Sequence, residues 1–307
     1  MSLTPLGMIE LPANSKAGGF DHAAVHRASS RLYVAHTAND ALDVIDCATD
    51  TFLHSIPNLG GVAGALVSDE TMQVFTSNRG ENSVGIFAPG DEATLVKVGV
   101  GLKPNGLAFD AQRSLLLAAN VGDPAQPETH TLSVVDVSQR RMIASIPVPG
   151  RTRWTIFDPS TSRFFVNIAQ PAQIVIVESA DPTHITRSFA IPAEGPHGLD
   201  FDPATHRLFC ACDGRVLVTL DASSGALLNA AGLSGVPDVI FFNAALKRLY
   251  VAIGEPGVID VFDTTTMNRV AVVSTERGAH TIAFDAERNK VYAFLPQTHR
   301  AMVFADA

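Results

Sequence analysis

One phrase, written seven times, constrains this chain more than any other property. In its clearest copy, GPHGLDFDPATHRLFCACDGRVLVTLD from Gly195 to Asp221, three β-branched or aromatic runs are separated by Asp-Pro and Asp-Gly clusters. Short apolar runs punctuated in this way are strands joined by tight turns. Each copy closes its first strand with an apolar anchor and carries a second anchor eight residues later: Val25 and Tyr33, Val67 and Phe75, Phe109 and Leu117, Phe157 and Phe165, Phe201 and Phe209, Phe242 and Tyr250, Phe284 and Tyr292. Successive second anchors lie 42, 42, 48, 44, 41 and 42 residues apart. A period of about 40–45 residues with several strands per unit marks the blade of a β-propeller. No unit carries a 3.6-residue apolar stripe, so helical solenoids are excluded.

The expected fold is therefore all-β: a seven-bladed propeller of four-stranded antiparallel blades. One domain is expected over residues 1–307, with blades near 19–59, 60–104, 105–150, 151–195, 196–235, 236–278 and 279–307. The seventh unit holds only three strands, while Leu6 to Pro12 resembles the fourth strand of the third unit, Arg141 to Pro147. The segment 5–12 is thus predicted to complete the last blade and close the ring, which removes exposed sheet edges. Asp110, Asp158, Asp202 and Asp285, with Asn243 in the sixth copy, follow the first anchor, and Asp46, Asp136, Asp221 and Asp263 follow the third strand. Recurrence at fixed offsets assigns them to turns, where Asx side chains bond their own backbone.

Composition narrows the partners. A net charge of −9 offers no counter-charge to nucleic acid or an anionic membrane surface. Only three tyrosines and one tryptophan are present to stack on bases. No apolar run is long enough to span a bilayer. The first residues lack the basic start and apolar core of a secretory leader, and the three cysteines cannot form a full disulfide set. Both point to a cytoplasmic protein, leaving an already trimmed leader open. Cys210 and Cys212 sit two apart on one strand and share a face, as small core residues.

The second strands read Tyr33-Val34-Ala35-His36, Phe75-Thr76-Ser77-Asn78 and Leu117-Ala118-Ala119-Asn120, and first strands are preceded by phrases such as Lys103-Pro104-Asn105-Gly106. Together these resemble the YVTN-repeat β-propeller family over nearly the whole chain. The later units depart from it, with Ile168, Cys212, Ile253 and Leu295 in place of the final Asn. Gly195-Pro196-His197 before an apolar strand is similar to phrases in seven-bladed lactonases. That resemblance covers one short segment and transfers no catalytic residue.

In a propeller the first strands line the central channel, and function belongs to the loops and strand starts at its mouth. Four residues before each first anchor stand Asp21, Ala63, Asn105, Arg153, His197, Asp238 and His280. His197, Asp238, His280 and Asp21 come from blades that are neighbours once the ring closes. Two imidazoles and two carboxylates of this kind could hold a divalent metal ion, the one cofactor the sequence suggests. Without metal, His197, His280 and Asp238 are the candidates for general acid–base work. Arg153 would face them and clamp a carboxylate or phosphate, with Trp154 as an apolar wall. A second belt after the second strands comprises His36, Asn78, Arg79, Asn120, His130, Glu255, Gln297 and His299. His130, on the insertion of blade three, is expected to overhang the mouth. His22 and His26 are weaker candidates.

The reading that follows is a binding propeller recognising a small molecule or protein segment at the funnel mouth, with Asp21, Asn105, Arg153, Trp154, His197, Asp238 and His280 as the ligand-binding set. The alternative is a metal-assisted lactone hydrolase or lyase acting from the same funnel.

Overall fold

The computed structural model describes residues 3–306. Among the described residues, twenty-eight strands form seven four-stranded sheets, six of them built from consecutive strands and one closed by the first of these strands. All pairings are antiparallel. In the closing blade Thr4–Glu10 pairs with Arg300–Ala305, Ile9 opposite Ala301 and Glu10 opposite Arg300. The predicted closure is therefore the observed one. Among the described residues the only helical pieces are two single-turn 3-10 segments, Thr37–Asn39 and Pro127–Thr129.

The anchors divide into two kinds. Tyr33, Phe75, Leu117, Phe165, Phe209, Tyr250 and Tyr292 are fully buried, whereas the first-strand anchors are only half buried. Second strands lie mid-blade with a neighbouring sheet on each face, while first strands border the central channel. Burial follows from that placement. The core is accordingly not one mass but seven clusters, one at each junction between adjacent blades. Cys210 and Cys212 lie in one of them, their sulfurs 3.8 Å apart and buried.

The repeated Asx residues do what their offset predicts. The Asp110 Oδ1 accepts the Gln112 and Arg113 backbone N–H groups, and Asp158, Asp202, Asn243 and Asp285 repeat the pattern. Asp46, Asp136, Asp221 and Asp263 close the turns after the third strands in the same way. In every blade the residue just before the second strand is left-handed: Ser30, Met72, Ser114, Ser162, His206, Lys247 and Asn289, with φ between 49° and 56°.

The first strands are Phe20–His26, Val62–Ser68, Pro104–Asp110, Thr152–Asp158, Pro196–Asp202, Pro237–Asn243 and Thr281–Asp285. They are set around the channel with their starts at one face. At three starts, those holding Gly64, Gly106 and Gly198, the neighbouring strand comes so close that only glycine fits. A Cβ on Gly106 would sit 2.6 Å from the Arg153 carbonyl oxygen, and one on Gly198 would collide with that of Asp238. This close approach draws the residues at the strand starts into one cluster.

Candidate functional site

At the mouth, His197 begins the first strand of blade five and is held from both sides. Its Nδ1 lies 2.7 Å from Asp213 Oδ1 and its Nε2 3.1 Å from Asp238 Oδ1. Burial works against a charged ring here, but Asp238 and then Asp213 outweigh it, and the pKa rises to about 9. The ring is therefore an imidazolium at neutral pH, donating from both nitrogens. The Arg153 Nη1, 3.2 Å from Nε2, is then a like-charged neighbour rather than a donor. It is kept in place because its Nη2 reaches Asp213 Oδ2 at 3.2 Å.

His280, just ahead of the first strand of blade seven, donates from Nδ1 to the other Asp238 oxygen at 2.7 Å. Burial again opposes the charge, and the bond to Asp238 and its field raise the pKa. Burial would raise the Asp238 pKa, but His197 and then His280 hold it well below the usual carboxylate range. One carboxylate thus bridges two imidazoles, His197 and His280.

Asp21, on blade one next to His280, accepts from Arg79 Nη2 at 3.3 Å and lies 3.4 Å from His22 Nε2. Burial lowers the His22 pKa, Asp21 only partly offsetting it, so this ring is neutral. It stacks on Trp154 at 4.0 Å between ring centroids. Arg151 completes the group. Its pKa is lowered by loss of hydration and then by repulsion from Arg153 and Arg79. Asn105 is buried, and its Oδ1 has no partner among the described residues.

The structure thus brings together Arg153, His197, Asp238 and His280 in one network, with Asp21 and Asn105 on the rest of the ring. Trp154 is half buried under the mouth rather than part of the charged layer. The imidazole nitrogens of His197, and Nδ1 of His280, are directed at carboxylates, and among the described residues no group of three or more His, Cys, Asp or Glu is arranged to share an ion.

Most of the second belt is turn support. The buried His36 bonds Asp43 at 2.7 Å and Asn14 at 2.8 Å, and Asn78 and Asn120 bond Ser83 and Ser133. His130 does not overhang the mouth. It is buried at the base of its loop with Nδ1 against the Val121 carbonyl, because a single 3-10 turn folds the insertion back on itself. Glu255 pairs with Arg277 on the exposed rim, Gln297 bonds the Arg277 carbonyl, and His299 meets the Asn14 amide. His26 is buried against Ser29 at the opposite turn.

Sequence reading passed over Asp213 and Arg151, and underrated Arg79 and His22. A signal existed. The residue one past each second strand runs Thr37, Arg79, Val121, Ala169, Asp213, Gly254 and Pro296, and its only two charged members are the two that enter the network.

Beneath the mouth the channel holds a cavity of about 640 Å³. It begins at His22 and Trp154, one residue beyond Asp21 and Arg153 on their strands, and reaches the turns at the far face, including Ser68 and Pro203.

No family model matches the chain, and no curated protein matches it. Solved structures do. A chain of Kuenenia stuttgartiensis hydrazine synthase superposes with a TM-score of 0.82 at 13% identity, covering 96% of this chain and 97% of that one. A chain from the crystal structure of a mitotic checkpoint complex gives 0.81 at 10% identity, covering 99% and 92%. At such identities the likeness is one of fold. The chain is a seven-bladed β-propeller, an architecture that commonly serves as a binding or scaffold platform.

Proposed function

We propose that this is a binding propeller whose mouth takes an anionic group, the carboxylate or phosphate of a small molecule or an acidic side chain of a protein segment. One observation carries the reading. Arg79, Arg151, Arg153 and the cationic His197, with His280 beside them, are gathered around only Asp21, Asp213 and Asp238, on a protein whose overall charge is −9. Like charges are crowded here at a cost, and a bound anion would relieve it. The buried Nε of Arg79 and of Arg153 has no acceptor among the described residues, so donors remain unspent. The repeat phrases support placing the chain with the YVTN-repeat propellers, and three free, buried cysteines support a reducing, cytoplasmic setting.

Calorimetric titration with citrate, inorganic phosphate and an aspartate-rich peptide tests the reading. Binding of at least one, weakened about ten-fold by Arg153→Ala or Arg79→Ala and by added salt, is expected. No binding of any anion to the folded protein would sink it.

The lactone hydrolase or lyase reading keeps one observation of its own. His280 presents the arrangement of an oriented acid–base pair, with Nδ1 on Asp238 and Nε2 unbonded among the described residues. A lactone and ester screen with and without Mg²⁺, Ca²⁺, Mn²⁺ or Zn²⁺ decides it. Turnover lost in His280→Ala would favour the enzyme, and metal binding lost in a His197→Ala, His280→Ala double variant would support the metal site.

A further inference from the structure

The cavity below the mouth is lined chiefly by apolar and aromatic side chains, among them Leu107, Phe109, Trp154, Ile156, Phe157 and Phe241. Its volume is that of a site for a small organic molecule. One residue in its wall breaks the repeat. Immediately before the first anchor stand Ala24, Leu66, Ala108, Ile156, Asp200, Phe241 and Ala283. Six blades place an apolar residue there, and blade five places a carboxylate.

Asp200 accepts the Phe201 and Phe242 backbone N–H groups at 2.8 and 2.6 Å, which fixes its orientation. The fold does not require those bonds, since the six equivalent positions supply no acceptor. No Lys, Arg or His among the described residues pairs with Asp200, although Asp69 and Asp110, which also line the cavity, pair with Arg27 and Arg113. His22, at the upper end, is neutral. The cavity therefore carries an oriented, uncompensated carboxylate within a mainly apolar and aromatic lining. Burial holds its pKa up at about 7, a sign that the ionised form lacks a cation.

We propose that the central cavity binds a small apolar organic cation, an alkyl- or arylammonium, with Asp200 as its counter-charge and Trp154 and Phe241 as its walls. A carboxylate supplies the charge-assisted hydrogen bond and the ring faces attract the ammonium. A neutral apolar ligand would leave Asp200 unanswered, and an anion would be repelled by it. This site is independent of the anion site at the mouth.

The only tryptophan of the chain sits in the cavity wall and reports on it. At pH 8, titration of the full-length protein with 2-phenylethylammonium should change Trp154 fluorescence saturably. The uncharged 2-phenylethanol should bind at least about ten-fold more weakly. Asp200→Asn, checked for folding by circular dichroism, should abolish that difference. Equal binding of ammonium and alcohol, or no saturable response to the ammonium at millimolar concentration, overturns the proposal. Because the ammonium-to-alcohol ratio is measured on the unmodified protein, it decides even where the variant does not fold.

Discussion

His197 shows how much a single side chain does at the mouth of this propeller. It is only 16% exposed and spans two carboxylates from different elements, Asp213 after the second strand of its own blade and Asp238 on the next. Its pKa is higher folded than the roughly 6.5 of an unfolded histidine, so the imidazolium stabilises the fold. That contribution is complete below about pH 6.5 and lost as pH rises through about 9. Thermal melts should accordingly show stability falling between those values, by up to roughly 3 kcal/mol. In His197→Ala the decline should flatten, because the titrating group is gone. The same variant should cost about 1–3 kcal/mol, since Asp238 keeps one partner of two and Asp213 loses its imidazole. His280→Ala should cost less, because the 39% exposed ring leaves room for water to replace it. Equal losses would show that Asp238 depends on both rings alike.

The elements owe their geometry to backbone constraints that the repeat imposes. Each hairpin between the first two strands ends on a left-handed residue, and in blade two this is the exposed Met72, φ 53°. A β-branched side chain tolerates that region poorly, so Met72→Val should lose about 1 kcal/mol or more, whereas Met72→Gly should be near neutral. Chemical denaturation of the two variants separates conformational strain from loss of the side chain, since both shorten it. At the channel, Gly198 lets the strand of blade five lie against the Asp238 carbonyl. Gly198→Ala must push those strands apart, at a cost of about 1–3 kcal/mol. It should also lengthen the His197–Asp238 contact, so the pKa of His197 measured by NMR should fall toward its ordinary value. An unchanged pKa would mean that the carboxylate follows the ring.

Across the whole molecule, stability is distributed over seven junctions, and one of them depends on the two ends of the chain meeting. Ile9 and Leu11 belong to the cluster between blades seven and one, and Glu10 pairs with Arg300 at the outer edge. Deleting the first twelve residues uncovers the edge of Arg300–Ala305 and strips that cluster of two large apolar side chains. Losses of about 2–5 kcal/mol per large core residue apply, and the bare strand invites self-association. The truncated chain should melt well below the full one and form higher oligomers by light scattering. A monomer of unchanged melting temperature would show that the ring closes without this strand.

The sequence by itself determined the fold, its blade count and its closure, because strand, turn and anchor are local properties copied at a fixed spacing. Seven copies turn a weak local signal into a firm one, and for that reason the turn role of Asp110 or Asp202 was legible. The ring of Asp21, Arg153, His197, Asp238 and His280 was legible as a set of positions, since equal offsets in equal blades lie at equal heights. What only the tertiary structure decided was how those side chains face one another. Asp213 enters from a different strand of the blade, Arg79 reaches Asp21 across from blade two, and Asp238 is divided between two rings. Such contacts join residues up to 60 positions apart through rotamer choices and charge balance, which carry no period along the chain. A repeat writes its scaffold in every copy, while a site is written once, in the places where the copies differ.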